Sequence, residues 1–288
     1  MTSAAHWYQG ARPRTLGAAV SPVLVGTAAA SRYGDIVWWR ALFCLLLAVA
    51  LQVGVNYAND YSDGVRGVDT QRRGPVRLTA SGLAAPARVK QAALLSFAVG
   101  GLLGLVLAAA VDWKLVLVGA ASIAAAGLYS GGPKPYASSG LGEVMVLVFF
   151  GFVATCGSAY VQLVRVPWVA VVAAFPVGLL ACAILLVNNL RDVDSDREVG
   201  KRTLAVRVGK ARSRRLYRTS LGASLVVVAA LAFRAPGVLL GLLAVPLAIP
   251  PLRIVLSAAD APSLVQALIA TGRLQLVLSA LLALGLVL

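Results

Sequence analysis

Histidine is nearly absent from this chain. His6 is the only one in 288 residues, and it lies close to the N-terminus. No imidazole is therefore available deeper in the chain as a base or a metal ligand. Proton acceptance falls to a carboxylate, a tyrosine, water or a substrate group. Charge is also scarce: Asp, Glu, Lys and Arg make up 13% of the residues, against about 25% in a soluble domain. Hydrophobic residues reach 59% and the mean hydropathy is +0.84. Stretches 41–55 and 221–233 hold no charge at all. About 20 apolar residues suffice to cross roughly 30 Å of hydrocarbon, so a water-soluble fold is excluded. The three cysteines, Cys44, Cys156 and Cys182, sit in apolar runs with no ligand pattern beside them. They read as small buried hydrophobes rather than a redox or metal site. The N-terminal residues 1–16 show no apolar core followed by a cleavage site, and no signal peptide is expected.

Acids are few, and they are not scattered. Seven of the eleven Asp and Glu residues fall in two stretches. The first runs Asn56-Tyr-Ala-Asn59-Asp60-Tyr61-Ser-Asp63-Gly-Val-Arg66-Gly67-Val-Asp69. The second runs Asn188-Asn189-Leu-Arg191-Asp192-Val-Asp194-Ser-Asp196-Arg197-Glu198. The net charge of +15 could suggest a nucleic-acid partner, but its distribution argues against one.

Hydropathy predicts nine spans, at 16–30, 41–59, 91–111, 115–128, 141–164, 168–190, 221–233, 238–256 and 264–288. An amphipathic lead with Arg12, Pro13 and Arg14 comes first. Polar loops cover 60–90 and 191–218, and the Gly- and Pro-rich residues 129–136 form a turn. This alternation puts 21 of the 26 Lys and Arg residues on one side and five on the other. The positive-inside rule then makes the rich side cytoplasmic, with the N-terminus and both acid stretches. The basic excess is thus mainly a topology signal, and no nucleic acid is expected. Asn56 and Asp60 recur as Asn188 and Asp192 at a constant offset. The expected architecture is an all-α polytopic membrane protein in one domain. Its two related halves, roughly 1–132 and 133–288, surround a central cavity open to the cytoplasmic face.

If the second span continues as a helix, Asn56, Asn59, Asp60 and Asp63 share one face, and Asn188, Asp192 and Asp196 share another. Carboxylates stacked at a membrane edge repel one another and need compensation. Mg²⁺ supplies it through oxygen ligands, usually one or two carboxylates plus substrate phosphate oxygens. Arg72, Arg73 and Arg77 follow the first stretch, Lys201, Arg202 and Arg207 the second, and Lys134 lies in the turn between. Acids and bases at one face suit a metal-bound anionic headgroup. A transporter is the alternative of another class, with Glu143 as the main charge inside a span.

At these residues the chain resembles the UbiA-type intramembrane prenyltransferases. Asn59-Asp60-Tyr-Ser-Asp63 matches the first family motif and Asp192-Val-Asp194-Ser-Asp196 the second. Within the superfamily it is most similar to the branch that prenylates 1,4-dihydroxy-2-naphthoate in menaquinone synthesis. The stretches that carry this are 56–64, 73–82, 129–135 and 200–207. One position departs: a third acid common in the superfamily is Gly67 here, and the next acid is Asp69.

The resemblance implies a Mg²⁺-dependent enzyme of the cell (inner) membrane, embedded in the lipid bilayer, acting on a polyprenyl diphosphate and 1,4-dihydroxy-2-naphthoate. Asn59, Asp63, Asp192 and Asp196 would be catalytic and, with Asp60, hold the metal. Arg77, Lys134 and Lys201 would contact the diphosphate. Asn56, Tyr61, Tyr129 and Phe149, with Phe150, would face the prenyl and aromatic groups. Other acceptors of the superfamily, 4-hydroxybenzoate, a porphyrin or a sugar phosphate, are the alternatives within enzymes.

Overall fold

In hydrocarbon every backbone N–H and C=O must find its partner within its own segment, so long apolar stretches become helices. The computed structural model describes residues 2–67, 76–257 and 260–288. Among these residues the regular structure is all helical. A short α1 (Ala4–Gly10) precedes α2 (Gly17–Ser31), α3 (Trp38–Val65), α4 (Pro86–Ala110) and α5 (Leu115–Ser130). Next come α6 (Gly142–Val146), a π-helical stretch (Leu147–Val153) and α7 (Ala154–Leu163), which form one continuous rod. Then follow α8 (Trp168–Arg191), the short α9 (Val193–Glu198) and α10 (Leu204–Leu231). A 3₁₀ stretch (Pro236–Ala244) leads into α11 (Val245–Leu256), and α12 (Ala261–Val287) closes the chain.

Among the described residues six helical rods are long and apolar enough to cross a membrane: α3, α4, α6–α7, α8, the 236–256 rod and α12. Helices α2 and α5 are apolar but shorter. The expected span at 221–233 is only the distal part of α10, which already begins at Leu204. Its first half carries Arg207, Lys210, Arg212, Arg214, Arg215 and Arg218, and a hydropathy average hides a helix with so much charge. The buried residues Ala205, Ser213 and Tyr217 show that this half still packs inward. Gly209, at φ 83°, puts one break in the rod, a backbone setting that glycine adopts without strain.

Close crossings rest on glycine. A Cβ at Gly26 of α2 would overlap the Thr155 carbonyl of α7. The π-helical stretch meets α8 at a second crossing, where a Cβ on Gly151 would sit 3.0 Å from the Gly178 Cα. The main apolar core is shared by α2, α7, α8, α10 and α12, with Val25, Val177, Leu180, Leu274 and Leu278 fully buried. Each acid-bearing helix packs most extensively on the helix that follows its polar loop, α3 on α4 and α8 on α10.

Candidate functional site

Helix α3 does not stop at residue 59. It runs to Val65, so the whole first acid stretch up to Asp63 is helical and its spacing can be read on a wheel. The side chains nonetheless go to separate tasks. Asn56 donates to the Ala11 carbonyl (2.8 Å) and the Thr15 hydroxyl (3.1 Å), which pins the N-terminal lead over the helix. Asn59 lines the central cavity. Asp60, expected among the metal ligands, is 1% exposed. Its two oxygens accept the backbone N–H groups of Leu78 and Thr79, each at 2.8 Å. It thereby holds the segment that carries the buried Arg77.

The second stretch is bent where the sequence reading has one helical face. Helix α8 ends at Arg191, Asp192 has φ −96° and ψ 6°, and α9 starts afresh. Arg191 folds back onto Asp192 in a two-point pair, Nε to Oδ1 at 2.7 Å and Nη2 to Oδ2 at 2.6 Å. The same Nη2 donates to Asn188 at 3.0 Å.

Lys201 joins the two stretches. Its Nζ donates to Asp63 Oδ1 at 2.9 Å across 138 residues of sequence. Its backbone N–H donates to the Asp196 carbonyl at 2.8 Å. The two acid motifs therefore meet at one end of the helical body. Asp63, Asp192 and Asp196 are 3%, 4% and 6% exposed.

Beside this junction lies a cavity of about 530 Å³. Its polar end is formed by Arg12, Gln52, Asn56, Asn59, Asn188 and Tyr129, and its long walls by Leu, Val, Ile, Ala and Gly from α2 to α8. Phe149 and Phe150 both face it. They lie in the π-helical stretch, a geometry frequent at functional sites. Tyr136 closes the corner. Its hydroxyl donates to the Ala125 carbonyl (2.8 Å), and burial pushes its phenol up to about 12, so it stays a donor at neutral pH.

Not every expected residue joins. Tyr61 turns away from this cavity onto a separate outer groove, where the Lys90 ammonium stands 5.8 Å over its ring. Two positions past Asn59, it stands about 200° round α3 from that residue. Lys134 is exposed in the turn. Asp69, Arg72 and Arg73 lie outside the described residues. Three residues go beyond the sequence assignment: Arg12 in the cavity wall, Arg191 on Asp192, and Glu143. Glu143 is 7% exposed, accepts from Asn189 Nδ2 at 2.9 Å through Oε1, and among the described residues has no hydrogen-bond partner at Oε2. It lies within electrostatic reach of Tyr129, as do Asp63 and Arg12. Its place at the start of an apolar span already marks it in the sequence, there as the charge a transporter would use.

The donors buried at this junction, Asp63, Asp192 and Asp196, are carboxylates, the oxygen ligands a hard divalent cation takes. Among the described residues no three carboxylates gather closely enough to form a cage. Buried carboxylates are instead neutralised by an ammonium and a guanidinium. Mg²⁺ itself takes few protein ligands and completes its shell with water and phosphate oxygens.

Asp60 gives a first prediction. Asp60→Ala leaves two backbone N–H groups without their charged acceptor, a loss of about 2–3 kcal/mol. The melting temperature of the metal-free protein should fall, and Asp60→Asn should recover part of it. If Asp60 served only as a metal ligand, that metal-free melting temperature would not move.

Known proteins share both the sequence and the fold. The profile of the UbiA prenyltransferase family matches residues 19–268. The 1,4-dihydroxy-2-naphthoate octaprenyltransferase of Mycobacterium tuberculosis is 51% identical over 249 residues, covering 86% of this chain and 85% of that protein. The enzyme of the same name from Mycobacterium leprae is 48% identical over 272 residues, covering 94% and 92%. A UbiA homologue from Archaeoglobus fulgidus, solved bound to DMAPP and Mg²⁺, superposes with a TM-score of 0.60 at 15% identity, covering 96% of this chain and 98% of that one.

Proposed function

The chain belongs to the UbiA prenyltransferase family, and from that premise we propose that it prenylates 1,4-dihydroxy-2-naphthoate. A polyprenyl group moves from its diphosphate to the naphthoate ring, with loss of diphosphate and CO₂, to give demethylmenaquinol. The observation that carries this reading is the Lys201 bridge. It draws two acid motifs together, four residues beyond Asn59 and Asn188, which line the polar end of a largely apolar cavity. The relatives' names support the acceptor.

In this reading the cavity divides the substrate as its walls are divided. The prenyl tail lies along the Leu, Val and Ala side chains, and the diphosphate sits at the mouth. Asn59, Asp63, Asp192 and Asp196 would hold Mg²⁺, which supplies neutralisation of the charge that builds on the leaving diphosphate. Lys201 and the buried Arg77 add fixed positive charge there. As the bond from C1 to the diphosphate oxygen breaks, C1 becomes cationic, and the faces of Tyr129, Phe149 and Phe150 stabilise it. The ring carbon that bears the carboxylate bonds to C1. The bond to CO₂ then breaks and returns its electron pair to the ring. Arg12 offers the acceptor's carboxylate a counter-charge. Glu143, behind Tyr129 with one oxygen uncommitted, provides a carboxylate for the acceptor's hydroxyl proton. The excess of Lys and Arg in the loops on this side supports a mouth facing the cytoplasm.

The test is product mass from purified protein in lipid vesicles, given a polyprenyl diphosphate and a panel of acceptors. Prenylated, decarboxylated naphthoquinol from 1,4-dihydroxy-2-naphthoate alone is the expected outcome. A prenylated 4-hydroxybenzoate in its place would move the assignment to another branch. Ion flux through vesicles with no product would point to transport.

A further inference from the structure

A second cavity, of about 370 Å³, opens on the outside of the helical body. Tyr61 and Arg66 of α3, Lys90, Leu94 and Phe97 of α4, and the 127–132 end of α5 wall it. Those helices all present here the end that carries the acid motifs: the C-terminal ends of α3 and α5 and the N-terminal end of α4. The groove therefore lies at the level where a membrane helix leaves hydrocarbon for the headgroups.

We propose that this groove binds an anionic phospholipid of the bilayer, with its phosphate between Arg66 and Lys90. Three observations support it. Two cations share one small cavity, and no acidic residue lines it. Among the described residues, neither cation is ion-paired to a carboxylate. Arg66 is held in place by its bond to the Gly132 carbonyl (2.7 Å), and Lys90 by the face of Tyr61. Both cations are exposed, so a phosphate in the headgroup layer can reach them. Below the cations the surface turns apolar. Val65 and Leu94 are 58% and 57% exposed, and Phe97 lines the floor. That is the profile of a phosphate head with hydrocarbon beneath it. A metal-bound diphosphate is a poorer match, because the groove has no carboxylate to share the metal. The inference stands apart from the catalytic reading, which uses neither Arg66 nor Lys90.

The test uses the full-length protein in neutral detergent with phosphatidylglycerol and phosphatidylcholine, and native mass spectrometry to count retained lipid. Wild type is expected to retain phosphatidylglycerol over phosphatidylcholine. The double substitution Arg66→Gln with Lys90→Gln should weaken that binding about 30-fold. Gly127→Leu keeps both cations and fills the groove, and a Cβ there meets nothing within 4 Å. It too should weaken binding. Equal retention of the two lipids by wild type would overturn the proposal, as would unchanged phosphatidylglycerol binding in both variants. Displacement of phosphatidylglycerol by geranyl diphosphate would assign the groove to the prenyl donor and overturn it as well.

Discussion

Asp63→Ala is expected to lower turnover by about 10³-fold or more, equivalent to ~4 kcal/mol of transition-state stabilisation, while the protein still inserts and melts cooperatively. Asp63 is 3% exposed and its Oδ1 takes the Lys201 ammonium. Alanine removes both a proposed metal ligand and the anchor that holds Lys201. The fold should survive because Lys201 is still 15% exposed at its side chain and can turn to water. Asp192 differs. Its partner Arg191 is buried to the same degree as Asp192 itself, 4% each. Asp192→Ala would strand a guanidinium with the Asn188 oxygen and no carboxylate from Asp192. Breaking a buried pair from one side costs about 3–5 kcal/mol. Asp192→Asn, which keeps an oxygen for Arg191, is therefore the fairer probe of its catalytic role, and it should lose turnover as Asp63→Ala does. Turnover is read as diphosphate release, and folding as thermal melting of the same preparations. Near-normal rates in Asp63→Ala and Asp192→Asn would remove the acids from the reaction.

The sequence exposes the skeleton of this site better than its wiring. Apolar runs and turn residues locate the rods because hydrocarbon leaves the backbone no alternative to helix. The two acid stretches stand out because charge is so rare elsewhere. Side-chain destinations depend on tertiary partners that spacing does not report. Asp60 and Asp63 lie within one turn of the same helix. Yet one holds the N–H groups of residues 78 and 79, and the other holds Lys201, 138 residues away. The echo of Asn56 and Asp60 in Asn188 and Asp192 hides the same divergence: Asn56 and Asn188 both line the cavity, while Asp60 clamps a loop and Asp192 pairs with its neighbour Arg191. Tyr61 belongs to the first motif in sequence and to the outer groove in space. Arg12 reads as part of an amphipathic lead, and only the contact of Asn56 with Ala11 and Thr15 brings it over the cavity. The basic half of α10 is invisible to hydropathy because its buried face is narrow.

Chelation of divalent metal is expected to abolish turnover and to leave the fold standing, and the reason lies in the counter-charges. Buried carboxylates at a membrane edge would destabilise a metal-free protein if nothing neutralised them. Here Lys201 covers Asp63 at 2.9 Å and Arg191 covers Asp192 at 2.6 Å. The metal-free state is thus internally compensated, and the melting temperature should rise only modestly when Mg²⁺ is restored, by the mass-action term for a ligand that binds the folded form alone. Turnover has no such substitute. An ammonium on Asp63 would not supply the Lewis acidity that Mg²⁺ would supply to the leaving diphosphate, so activity in excess EDTA should fall by about 10³-fold or more. Added Mg²⁺ should restore it. The two readouts fail separately. Undiminished diphosphate release in chelator would reject the metal-bridged headgroup, whatever the melting curve shows. Unfolding in chelator would instead show that Lys201 and Arg191 do not compensate the acids, and that the metal is part of the fold as well as of the site.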